Sequence, residues 1–218
     1  MTDVAFSPFR THLDQDRALR ILRDALAGAD DGELFLERAR SEALVFDDGR
    51  LRTASYDAEQ GFGLRAVRGE VTGYAHSTEI DEAALKKAAE TVRLAVGAGG
   101  GTLALPPQGE IRPLYAAIDP AEEVPFAARV ALLRQIDAFA RDLDPRVVQV
   151  SASIATSVQE VAILRPEGGL ATDIRPMARL NVSVIVESNA RRETGTAGGG
   201  GRIGLSGLVA PEHWQGLV

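Results

Sequence analysis

The apolar residues of this chain change period from helical to strand-like in each half, and that repeated change restricts the folds open to it. Residues 16 to 27, DRALRILRDALA, place Ala18, Ile21, Leu22, Ala25 and Leu26 along one helical face, and Gly28 follows as a stop. After it come the short β-prone pieces ELFLER and EALVFDDGRLRTA, in which Asp48-Gly49 tolerates the positive φ angles of a tight hairpin turn. QGFGLRAVRGEVTGYAHS reads as two further strands about Arg68-Gly69-Glu70. The stretch from 81 to 96 is a second helix, with Asp81 as N-cap and an apolar stripe at Leu85, Ala88, Val92, Ala95 and Val96.

GAGGG at 97 to 101 and the LPPQGE that follows break this helix and suggest a linker over 97–109. A third helix is predicted from about Pro125 to Asp142, with Phe126, Val130, Leu133, Ile136 and Ala140 facing inward and Glu122 and Glu123 near its positive end. From Arg146 the period returns to two: Val148, Val150, Ala152 and Ile154 alternate with polar residues. Leu180, Val182, Val184 and Val186 do the same. The pattern implies an α+β fold of antiparallel β-sheets with packed helices, which can divide into two subdomains, 1–96 and 110–205, joined by the linker. No residue-level repeat accompanies it. Residues 206–218 read as the start of a helix whose stripe stops after one turn, too short to hold itself together, so the polypeptide is expected to continue into a further domain.

Charge narrows the partners. The chain carries 31 acids against 24 bases, a formal net charge of −7, with no basic cluster, which argues against direct contact with nucleic acid. No stretch approaches the roughly 20 apolar residues of a membrane span. The absence of cysteine excludes disulfides and thiolate chemistry and suits the cytoplasm.

The most distinctive stretch is ARRETGTAGGGGRIG, residues 190 to 204. A phosphate loop needs Lys and Ser or Thr after its last glycine, whereas Arg202, Ile203 and Gly204 follow Gly201; the contiguous run also lacks the spaced glycines of a dinucleotide fingerprint. By composition a flexible connector is favoured. The other reading is an extended segment whose bare backbone at Gly198, Gly199, Gly200 and Gly201 lets a second strand or a peptide approach, with Arg191, Arg192, Glu193 and Arg202 at its ends. A zinc site needs clustered imidazoles or thiolates, yet His12, His76 and His213 fall in three unrelated segments; His76 reads as a surface or edge residue and His213 as solvent-facing. The serines of VSASIATS alternate as a strand's polar face, Glu122-Glu123 read as a helix first turn, and Asp47-Asp48 as part of a hairpin turn.

Together, SYDAEQGFGLRAVRGEVTGYAHS (55 to 77) and ARRETGTAGGGGR (190 to 202) resemble the amino-terminal half of the TldD branch of the TldD/PmbA family, once called modulators of DNA gyrase. The resemblance implies a cytoplasmic zinc metallopeptidase that works with a PmbA-like partner subunit, or through self-association, on unfolded or modified peptides. It places the zinc on an H-E-x-x-x-H helix in the carboxy-terminal half. No His-Glu pair occurs here, so no catalytic or metal residue carries over, no cofactor is assigned to this chain, and it is expected to be inactive alone. The expected contribution is a wall of the substrate passage and part of a subunit interface. In that role Arg191, Arg192, Glu193 and Arg202 either orient the peptide or fasten the halves together. The alternative is a non-catalytic peptide- or protein-binding regulatory module.

Overall fold

Three of the helices begin where an aspartate cap satisfies one of their first amides. The computed structural model describes residues 6–97, 114–189 and 191–218. After the short α1 (Pro8–Thr11), Asp14 accepts from the Arg17 amide at 2.8 Å to start α2 (Gln15–Ala25), and Asp81 accepts from the Ala84 amide at 2.7 Å to start α3 (Glu82–Val96). The proposed linker, 97–109, lies outside the described residues beyond Gly97. Further on are α4 (Pro120–Glu123), α5 (Phe126–Leu143) and α6 (Pro211–Trp214), the last running into a 3-10 turn at Gln215–Leu217. No described helix is long and apolar enough to cross a membrane.

The strands are β1 (Asp31–Asp47), β2 (Arg50–Arg68), β3 (Val71–Ser77), β4 (Val147–Leu164), β5 (Leu170–Ser188) and β6 (Arg191–Gly201). They form a six-stranded antiparallel sheet ordered β3-β2-β1-β4-β5-β6. The β1–β2 hairpin turns at Asp48 and Gly49, whose φ of 46° and 75° are the paired positive angles anticipated for that dipeptide. Strand register follows from the pleat: in the β5–β6 pair Leu180 faces Gly199 and Glu187 faces Arg192.

The chain divides into two compact units, one of Met1–Ala39, Glu59–Arg112 and Gln159–Asp173, the other of Arg40–Ala58, Pro113–Val158 and Ile174–Val218. The first core packs Leu22, Leu26, Leu85 and Val92 of the helices against Leu34, Leu36, Phe62, Leu64 and Leu164. At Gly73 the helix comes so close that an added Cβ would stand 3.0 Å from the Val92 carbonyl oxygen. The second core packs Leu132, Leu133 and Ile136 of α5, with Trp214, against Leu44, Phe46, Ile154, Leu180 and Val182.

Three sequence expectations are corrected. ELFLER and EALVFD are not separate strands but parts of β1, which continues through Arg38, Arg40 and Glu42. These even-numbered positions, between Leu36 and Leu44, carry ion pairs instead of apolar groups: Arg38 with Glu160 at 2.7 Å, Arg40 with Asp119 at 3.1 Å, and Glu42 with Arg129 at 2.6 Å. The α5 residue expected inside, Phe126, is 49% exposed, while Arg129 is buried and extends over its ring. Glu122 and Glu123 do stand in a helix first turn, but in that of the separate α4, with Val124 and Pro125 between it and α5.

On β1, β2 and just past β4 in the first unit, Arg65 holds Asp31 at 2.7 Å and Glu33 at 2.6 Å, and Arg165 holds the same two carboxylates at 2.7 and 3.0 Å. Burial alone would raise the Asp31 pKa, but the hydrogen bonds from Arg65 and Arg165 outweigh it and hold the carboxyl below its ordinary range. A depressed carboxyl stabilises the fold above its unfolded pKa and loses that contribution as pH falls through the folded value. Asp31→Asn is therefore expected to cost about 1 kcal/mol at neutral pH, and the difference from wild type should shrink below about pH 4 in urea titrations. Arg129→Ala should cost more, roughly 2–3 kcal/mol by the same measurement, because it leaves Glu42 without its cation and opens a void under α5.

Candidate functional site

The glycine run is a strand. Arg191–Gly201 pairs with β5 over its whole length and closes one edge of the sheet, so the flexible-connector reading gives way to the extended one. Pairing along β5 supplies the backbone hydrogen bonds that a free glycine linker would give to water. Among the described residues no further strand joins the outer edge of β6.

Its glycines are not equivalent. Alternation turns Gly198 and Gly200 toward one face and Gly199 toward the other. An added Cβ on Gly200 would collide with the Ala178 carbonyl oxygen, and one on Gly198 with the Asn181 side chain. At Gly199 it would stand 2.9 Å from His213 Nε2, whereas Gly201 has open space. Close packing to β5 and to the ring beneath thus explains three of the four, and nothing in the structure explains the fourth.

The charged residues at the ends of the run do not converge. Arg191 Nε donates to Glu193 at 2.7 Å and Arg192 Nε to Glu187, its partner across the ladder, at 2.6 Å; all four side chains are solvent-exposed, so these pairs contribute little stability. Arg202, just past the strand, places its guanidinium 5.3 Å from the centre of the Tyr115 ring. Two residues near the run were missed by sequence reasoning. His213, read as solvent-facing, is half-buried under Gly199, and its Nε2 has no hydrogen-bond partner among the described residues. Glu123 accepts from the Ser206 amide and hydroxyl, both at 3.3 Å, and occupies the space a Gly204 side chain would need. These contacts join residues far apart in the chain, which no local pattern announces.

The donors present do not fit a zinc site. Among the described residues no group of three or more His, Cys, Asp or Glu side chains gathers at ligand distance. Each imidazole has other surroundings: His12 Nδ1 lies 2.6 Å from Thr11 Oγ1, His76 stacks on Tyr74 with ring centres 5.8 Å apart, and His213 lies beneath β6.

Comparison with known proteins agrees with this architecture. Residues 32–96 match the family model described as PmbA/TldA metallopeptidase domain 1, and residues 119–215 match the PmbA/TldA metallopeptidase central domain. The Metalloprotease TldD homolog of Haemophilus influenzae is 40% identical over 179 residues, 81% of this chain and 37% of that protein. The homolog from the Buchnera aphidicola of Acyrthosiphon pisum is 30% identical over 190 residues, 87% of this chain and 39% of its own length. The chain therefore spans less than two fifths of these relatives. Among solved structures, TldE from Thermococcus kodakarensis superposes with a TM-score of 0.69 at 16% identity, covering 92% of this chain and 46% of that one. A putative modulator of a DNA gyrase from Thermotoga maritima gives 0.67 at 14% identity, covering 79% and 39%. At such identities the structures establish a shared fold.

The packing at β6 makes a sharp contrast testable. Gly200→Ala should destabilise the protein by about 1–3 kcal/mol because backbone blocks its Cβ, while Gly201→Ala should stay within about 0.5 kcal/mol of wild type in chemical denaturation.

Proposed function

Because the chain belongs to the PmbA/TldD metallopeptidase family, we propose that it is the amino-terminal part of a TldD-like zinc metallopeptidase acting on unfolded or modified peptides in the cytoplasm. In this reading the zinc ligands lie in another part of the full-length protein, and the present chain is inactive alone. It contributes a wall of the substrate passage and part of the contact with a PmbA-like subunit or a second copy. The division into 1–96 and 110–205 about a linker at 97–109 belongs to the same proposal.

One observation carries the reading: β6 is an edge strand, glycine over Gly198–Gly201, with no described strand on its outer side. An extended peptide that pairs with such an edge is held by main-chain hydrogen bonds, which are indifferent to its side chains. That indifference suits a peptidase for varied unfolded segments. Bare glycines let the incoming backbone lie close, and Arg191, Arg192, Glu193 and Arg202 are placed at the two ends of the strand, where they can orient the peptide or bind the subunit.

The test exchanges parts with a relative. Replacing the matched residues of the Haemophilus influenzae protein with this chain should preserve zinc-dependent cleavage of an unfolded protein substrate, and the present chain alone should cleave nothing with zinc added. Cleavage by the isolated chain, or a well-folded chimera that binds zinc without cleaving while the parent enzyme is active, would refute the proposal. Retention of peptide or gyrase by this chain alone, with no gain of activity in the chimera, would favour a binding module.

A further inference from the structure

The opposite edge of the sheet carries a second feature that the proposed function does not use. Strand β3 is the other edge strand, and α3 packs along it with Gly73 against the helix backbone. Between them runs a cleft of about 580 Å³, lined by Tyr74, Ala75, His76 and Ser77 of β3 and, on α3, chiefly by Ala83, Ala84, Lys87, Ala88 and Thr91. A cavity on one face of a strand meets every second residue, because successive side chains point to opposite faces. Lining by four consecutive residues therefore places this cleft along the edge, where β3 presents main-chain groups that pair with no described strand.

The walls suit one kind of occupant. Apart from Lys87 the helix side is built from alanines and a threonine, leaving depth for aliphatic side chains, and the volume is within the roughly 300–1,000 Å³ of ligand pockets. Lys87 and Glu79 are the charged residues of the lining, and neither side chain makes a hydrogen bond or ion pair among the described residues. The neighbouring Lys86, by contrast, is held by Glu82 at 2.7 Å. Tyr74, 61% exposed, stacks on His76 at the rim.

We propose that the β3–α3 groove receives an extended peptide segment that adds to β3 as a further strand, with an aliphatic side chain over Ala83, Ala84 and Ala88 and a carboxylate paired to Lys87. The free edge supplies the affinity, the alanine floor limits side-chain size, and Lys87 sets the position of the acid. The site is separate from β6 and does not depend on the reading of that strand.

The probe is a fluorescein-labelled peptide of seven residues alternating valine and threonine, with one aspartate near its carboxyl end. It should bind the 218-residue chain saturably in an anisotropy titration, with Kd below about 1 mM. In ¹⁵N NMR the shifted amides should fall within Tyr74–Ser77 and Ala83–Thr91. Ala83→Trp, at an exposed position, should fill the groove and weaken binding at least about tenfold. Lys87→Glu should do the same, and a probe with lysine in place of the aspartate should recover affinity on that variant. Alternate N-methylation of the peptide backbone should abolish binding. No binding at about 1 mM, equal binding of the N-methylated probe, or shifts confined to β6 would overturn the proposal, as would self-association of the chain through β3.

Discussion

Strands of 17 to 19 residues must keep one alternation in phase from end to end, and the rest of this structure depends on that constraint. Strand β1 gives Leu34 and Leu36 to one core and Leu44 and Phe46 to the other, all at even positions; β4 gives Ala152 and Ile154 to the second and Ala162 and Leu164 to the first, again all even. A slip of one residue anywhere between would turn one set out of its core. The pairs Arg38–Glu160, Arg40–Asp119 and Glu42–Arg129 occupy the phase-keeping positions where apolar contact is interrupted. Their directional hydrogen bonds are well suited to holding register, since a slipped strand would leave charges without partners.

That polar stretch also explains which parts of the fold were legible. Helices α2, α3 and α5 were readable because their apolar residues recur at helical spacing and their ends are marked by Gly28, Asp81 or proline. The Asp48-Gly49 turn was readable because only a narrow set of residues accepts two positive φ angles in succession. The length of β1 was not, since apolar periodicity vanishes at Arg38 to Glu42 although backbone pairing continues. Periodicity reports burial in a core, and a strand crossing a charged stretch is silent by that measure.

The candidate site was legible in a different proportion. Quadruple glycine marked Gly198–Gly201 as unusual, and the matching of residues 32–96 and 119–215 to two domains of one family agrees with the resemblance carried by the two quoted motifs. Which partner each glycine serves could not be read: the reasons are a carbonyl at Ala178, an amide at Asn181 and an imidazole at His213, all distant in the chain. His213 looked exposed because its helix is a single turn, and only the tertiary placement of Trp214 among the core residues draws that turn inward.

An edge strand with ladder bonds on one side only, and mostly hydrogen atoms for side chains at one end, has little enthalpy to surrender and much backbone freedom to regain when it detaches. In Gly198–Gly201 that tendency is opposed by the close fit of Gly198, Gly199 and Gly200 against Asn181, His213 and Ala178, and by Leu205 and Leu208, which are buried just beyond Arg202. Such a margin is also a poor template for aggregation, because glycine offers no surface for interdigitation and arginine and glutamate occupy its start. The same bare backbone that permits the close fit offers a wrong neighbour no side chains to grip.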